Sequence, residues 1–194
     1  NENYNSEKIL KSKVITYPIP PLDKEEKDHI STSSYRSKKD TKNEIIEKAL
    51  KLHSQGKIIE AEKVYKYCLK NGYVSSAVLS NYAIILQSKG LIKEAKKIYE
   101  QSIQSFPSNP EAYSNLAVLL SENGELKKAS ELLYKAIDLN PKYKDAYINL
   151  AGIIKDLGRL EEAESIMSKA IELDPNNAIL YSNLSYILME LGNI

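Results

Sequence analysis

Residues 114–124 read SNLAVLLSENG, and close copies stand at 80–90 (SNYAIILQSKG), 148–158 (INLAGIIKDLG) and 182–192 (SNLSYILMELG), each 34 residues from the next. In the copy that begins at Tyr113, the residues Tyr113, Leu116, Ala117 and Leu120 fall at i, i+3, i+4 and i+7, which puts them on one face of a helix. Tyr147, Leu150, Ala151 and Ile154 repeat that stripe. A glycine follows every run, at Gly56, Gly90, Gly124, Gly158 and Gly192. Glycine enters the left-handed conformation past a helix end without a steric penalty, so these positions predict helix stops. A second amphipathic segment then carries Ala61, Ala95, Ala129 or Ala163, again in register. A small residue in an apolar stripe lets two helices approach closely, so these alanines are expected at the crossing within each pair. Pro107, Pro141 and Pro175 close three units, because proline cannot continue a helix, while Tyr73 holds that place in the first.

This 34-residue unit resembles the tetratricopeptide repeat, on positions that in the third unit are Tyr113, Leu116, Ala117, Gly124, Ala129, Leu133, Ala136 and Pro141. The resemblance covers 41–194. It implies an all-α fold, a right-handed superhelix (α-solenoid) of four complete helix-turn-helix repeats, at about 42–75, 76–109, 110–143 and 144–177, plus the first helix of a fifth in 178–194. The departures are mild. Lys48 stands where other units have Leu or Tyr, and Cys68 and Ser102 replace the small alanine near the end of the second helix. Cys68 is accordingly expected to be a small core residue. The helix at 178–190 has no second helix after it before Ile194, so Leu184, Leu188 and Leu191 are expected to lack cover. That reads as a piece of a longer protein, or as an array completed by a partner copy.

Composition narrows the function classes. Of 194 residues, 42% are hydrophobic and 27% charged, the balance of an ordinary soluble chain. Runs such as LAVLL and YAIIL fall far short of the roughly 20 residues that span a bilayer, so no membrane partner is expected. The amino terminus has no charged-then-apolar signal pattern, although a start at Asn1 suggests trimming upstream. Cys68 is the single cysteine, which precludes an internal disulfide framework and fits a reducing, cytoplasmic compartment. The net charge is +1; residues 1–40 hold eight basic and seven acidic groups and the remainder 19 of each, so nucleic acid is not an expected ligand.

Residues 1–40 carry Pro18, Pro20, Pro21 and the polar run STSSYRSKKD without a sustained period, and are expected to form a largely disordered tail. Its apolar island VITYPIPPL, at 14–22, reads as linker, docking motif or a strip that packs on the first repeat.

The sixth position of each first helix is Asn81, Asn115, Asn149 and Asn183, with Glu47 in the first unit, and the family resemblance implies that this position points into the concave groove. Asparagine costs about 0.5 kcal/mol relative to alanine inside a helix, so four in-register copies ask for a reason. An amide offers both a donor and an acceptor, the complement of a peptide group. Helices packed roughly 8–10 Å apart would present one amide for about every three residues of an extended strand. The ladder resembles that of O-linked N-acetylglucosamine transferases, which implies a clamp on the main chain of a protein ligand. The alternative is that the amides bond to neighbouring helices. Tyr186 joins the candidate groove residues because it falls on the same inner face.

Other inner-face residues argue against the lysine, arginine and asparagine clamp by which chaperone-tail tetratricopeptide domains hold a terminal carboxylate. Glu111, Glu122, Asp145 and Asp156 stand there, with Lys155 as the base among them. Tyr82, Tyr99, Tyr113, Tyr147 and Tyr181 lie in the packing stripe and are expected in the core. No phosphate loop or nucleophile elbow is present, and His29 and His53 are separated by tail and helix. His53 is expected to interact with the helix end near Gly56. The carboxylates of LEEAES are spaced as a solvated helix face. No catalysis, cofactor or metal is therefore expected of this stretch. The sequence reads as a module that binds protein or peptide in its groove, as scaffold or substrate recruiter. Two alternatives stand beside it. The stretch IIEKALKLHSQGKIIEAEKVY resembles the opening of bacterial multi-repeat proteins, some of which continue into glycosyltransferase, sulfotransferase or methyltransferase domains. The other is self-association through the uncovered last helix.

Overall fold

The computed structural model describes residues 41–192, and the tail at 1–40 lies outside them. Nine helices make up the secondary structure of these residues: α1 (Lys42–Ser54), α2 (Ile58–Lys70), α3 (Ser76–Ser88), α4 (Ile92–Ser105), α5 (Pro110–Glu122), α6 (Leu126–Leu139), α7 (Lys144–Asp156), α8 (Leu160–Leu173) and α9 (Ala178–Glu190). They pair as α1/α2, α3/α4, α5/α6 and α7/α8, each pair packs on the next, and α9 packs on α8. The result is the right-handed solenoid that the repeat implies.

Local chemistry fixes the helix ends. Gly124 has φ 80° and Gly158 φ 76°, both in the left-handed region that stops α5 and α7. The opposite ends are capped by a side-chain oxygen at the same place in four units, Thr41, Ser75, Asn109 and Asn177. Thr41 and Glu44 complete a reciprocal capping box. Tyr143, in the corresponding place before α7, makes no such cap.

The core runs continuously along the stack. Ala61, Ala95, Ala129 and Ala163 are all fully buried, as the close crossing within a pair requires. One turn on, on the same face of the same helices, Tyr65, Tyr99, Leu133 and Met167 are buried as well. Cys68 is fully buried, and burial raises its thiol pKa, as befits a small core residue.

The tyrosine stripe behaves less uniformly than its spacing predicts. Tyr82 and Tyr99 are buried. Tyr113 and Tyr147 are half-buried, and their hydroxyls donate to the carbonyls of Pro107 (3.0 Å) and Pro141 (3.2 Å), tying each first helix to the turn before it. Tyr181 is 47% exposed and not a core residue, because no helix of its own pair covers α9 among the described residues. Leu184 and Leu191 are half-buried and pack against the core, and Leu188 is half-buried too. The uncovered side of α9 is instead Ile179, Tyr181 and Met189. No described helix is long and apolar enough to cross a membrane.

Candidate functional site

The four in-register asparagines sit on α3, α5, α7 and α9, but their surroundings differ. Asn81 is half-buried, and its side chain hydrogen-bonds the hydroxyl of Tyr65 on α2. That hydroxyl also lies 3.3 Å from Nδ1 of His53 on α1, with the two rings edge to face at 5.9 Å. Three helices of the first two units thus meet at one buried phenol, whose pKa desolvation raises. His53 was expected at the helix end. Its partner is Tyr65, and burial lowers its pKa, so the neutral imidazole is the favoured form there.

One unit on, Tyr99 takes the place of Tyr65, but its hydroxyl donates to Oε1 of Gln87 at 3.3 Å. Gln87 in turn donates to Oε2 of Glu122 at 2.7 Å, joining α3 to α5. In the next two units the corresponding core residues are Leu133 and Met167, which carry no hydroxyl. No described residue hydrogen-bonds the amides of Asn115, Asn149 or Asn183. Asn115 and Asn149 are half-buried, and Asn183 is only 6% exposed.

Charge along the same face is partly paired. Lys155 of α7 lies 3.0 Å from Asp156 and 3.8 Å from Glu190 of α9, and its ammonium sits 5.1 Å from the centroid of the Tyr186 ring. The tyrosine singled out as ligand-facing is therefore covered by a lysine of the neighbouring unit. Glu111 and Asp145, in the first turns of α5 and α7, have no ion-pair partner among the described residues. Burial raises the pKa of Asp145 against the opposing pull of Lys144, whose ammonium is held by Asp174 at 2.8 Å. No described cluster of three or more His, Cys, Asp or Glu could hold a metal ion. The LEEAES carboxylates are not uniformly solvated: Glu162 pairs with Arg159 and accepts from the Tyr134 hydroxyl, which links α6 to α8.

Comparison with known proteins bears on this architecture. No curated protein matches the chain. Among solved structures, the first tetratricopeptide repeat domain of Spaghetti (RPAP3), bound to the HSP90 peptide SRMEEVD, aligns at 26% identity and a TM-score of 0.58, covering 60% of this chain and 93% of that one. MamA from Desulfovibrio magneticus RS-1 aligns at 18% identity and a TM-score of 0.68, over 78% of this chain and 85% of its own. PilF of Pseudomonas aeruginosa gives 18% and 0.71, over 78% and 69%. The tetratricopeptide repeat family model matches residues 86–133 and 124–185, just over half of the sequence. With the 34-residue period, the helix pairs and the buried alanines in place, the chain belongs to the tetratricopeptide repeat family.

Proposed function

We propose that the chain is a protein-interaction module whose concave face holds an extended peptide or partner segment, with Asn115, Asn149 and Asn183 as hydrogen-bonding contacts to its main chain. The observation that carries this reading is the difference between the four amides. Asn81 is spent on Tyr65, whereas the other three keep the same register and have no described partner. A half-buried amide with unused donor and acceptor suits a peptide group, which offers the complementary pair. The RPAP3 domain, of the same fold, holds a peptide. The likeness to the transferase ladder rests on the asparagine register alone.

Such contacts are individually weak. At about 0.5–1.5 kcal/mol each, three contribute a few kcal/mol before the cost of ordering the ligand, so side-chain recognition must supplement them. The test is binding to an array of diverse peptides by the 194-residue chain and by an Asn115→Ala/Asn149→Ala variant of equal helicity and melting temperature. Loss of two such bonds is expected to weaken binding about 30-fold across unrelated sequences. Unchanged binding by the variant would remove the amides from the ligand site.

A further inference from the structure

We propose that copies of this chain associate head to tail, the acidic end built by α8 and α9 of one copy docking on the basic end built by α1 and α2 of the next. The sequence of α9 is that of an enclosed helix. Residues 76–88 of α3 and 178–189 of α9 are alike in carrying no charged side chain. With helices packed on either side of it, α3 buries eight residues, whereas α9 buries Leu180, Asn183 and Ile187 alone. The exposed residues Ala178, Tyr181, Ser182, Ser185 and Met189 fall at i, i+3, i+4, i+7 and i+11, which makes one uncharged stripe along the helix. Tyr181 and Met189, 47% and 63% exposed, are its large apolar side chains. A contiguous face of this kind, left in water, marks a surface suited to being covered.

Charge decides what covers it. Residues 41–72, which supply α1, α2 and their turns, hold seven lysines and four acidic residues, and all seven lysines are exposed. Residues 73–158 are balanced, with ten basic and nine acidic groups. Residues 159–192, with α8 and α9, hold two basic and six acidic groups. The array is therefore polarised along its length, with a net +3 at one end and −4 at the other.

A second α9 laid on the stripe would set one acidic end against another, whereas the α1/α2 end brings the opposite charge. The tail at 1–40, with eight basic and seven acidic groups, offers no such complement. The basic end also has apolar surface to bury. Ile59 and Tyr67 of α2 are 61% and 49% exposed, and Ala49 is the only buried residue of α1. Because the two surfaces differ, the contact is heterologous: a pair of copies keeps one free end of each kind, so further copies add in the same way.

The experiment follows the 194-residue chain by sedimentation velocity over about a hundredfold range of concentration in dilute salt, where exposed charges are least screened. Its average mass is expected to rise with concentration past that of a dimer. Two charge reversals are compared with it, Lys42→Glu/Lys63→Glu at the basic end and Glu161→Lys/Glu172→Lys at the acidic end, together with the uncharged variant Tyr181→Ser/Met189→Ser. All six residues are exposed, and the variants are matched for helicity and melting temperature. Each variant alone should weaken association at least about tenfold. An equimolar mixture of the two charge-reversed proteins should associate again, since each then offers the end that the other lacks. A chain that stays monomeric throughout, or a mass that stops at the dimer, overturns the proposal. Undiminished association of the lysine variant would put a second α9 or the tail at 1–40 on the stripe and overturn it too, as would a mixture that fails to associate.

Discussion

Four asparagines share one register, and what each amide meets depends on the residue 16 positions before it: Tyr65 for Asn81, Tyr99 for Asn115, Leu133 for Asn149 and Met167 for Asn183. Only the first of these pairs is hydrogen-bonded, since Tyr99 turns to Gln87 and the last two have no hydroxyl. The energetic consequence separates a bonded amide from one without a described partner. Replacing Asn81 by alanine deprives the buried Tyr65 hydroxyl of a partner and is expected to cost about 1 kcal/mol. Replacing Asn149 removes no described bond and trades a mediocre helix former for the best one, so stability should hold or rise by up to about 0.5 kcal/mol. Urea unfolding at constant m-value measures both. Equal destabilisation by the two substitutions would show that Asn149 has a structural partner after all.

At the scale of the helix, a turn is set by conformation more than by contact. The Cβ that alanine would add at Gly124 meets nothing within 4 Å, yet φ is +80°. The whole penalty of Gly124→Ala is therefore backbone strain, expected to cost about 1–2 kcal/mol with no change in helicity, and readable as a lower urea midpoint. A neutral substitution there would mean that the turn relaxes to negative φ. These stops were legible in the sequence because glycine serves there for a backbone reason that recurs in every unit. The buried alanines were legible for a similar reason, the fixed crossing of two helices. The capping residues repeat as regularly, at Thr41, Ser75, Asn109 and Asn177, and their oxygen-bearing side chains before an apolar run were a signal the sequence reading left unused. What the period hides is contact between units, where the residues on either side vary independently. Lys155 over Tyr186 and Lys89 reaching the nearly buried Glu62 each depend on two non-repeating residues from neighbouring units. The shared register of Asn81, Asn115, Asn149 and Asn183 could be read from the helical phase. Which of those amides are already spent could not.

In the whole molecule, stability is the sum of units and of the junctions between neighbours, and neither is uniform. The first unit is the weakest. Ala49 is the only buried residue of α1, Lys48 replaces the apolar residue of other units, and the seam towards α3 includes the charged Glu62 with Lys66 at 2.9 Å and Lys89. By contrast, α5 and α6 bury Leu119 and Leu133 completely between well-packed neighbours on both sides. Nearest-neighbour coupling then predicts two levels of opening. Native-state hydrogen exchange should show α1 amides released by a sub-global opening well below the global unfolding free energy, with α5 and α6 near the global value. Leu119→Ala, a core truncation expected to cost about 2–5 kcal/mol, should lower protection through α3–α7 by most of that amount and leave the α1 opening energy nearly unchanged. The reason is that α1 already opens without the central units doing so, and its own contacts are with α2 and α3. If protection of α1 falls by as much as that of α5, the array unfolds as one cooperative block and the graded account is wrong. If it holds, the first unit can loosen while α5, α7 and α9 keep the groove amides in register, so a ligand clamped there would be insulated from the weakest part of the stack.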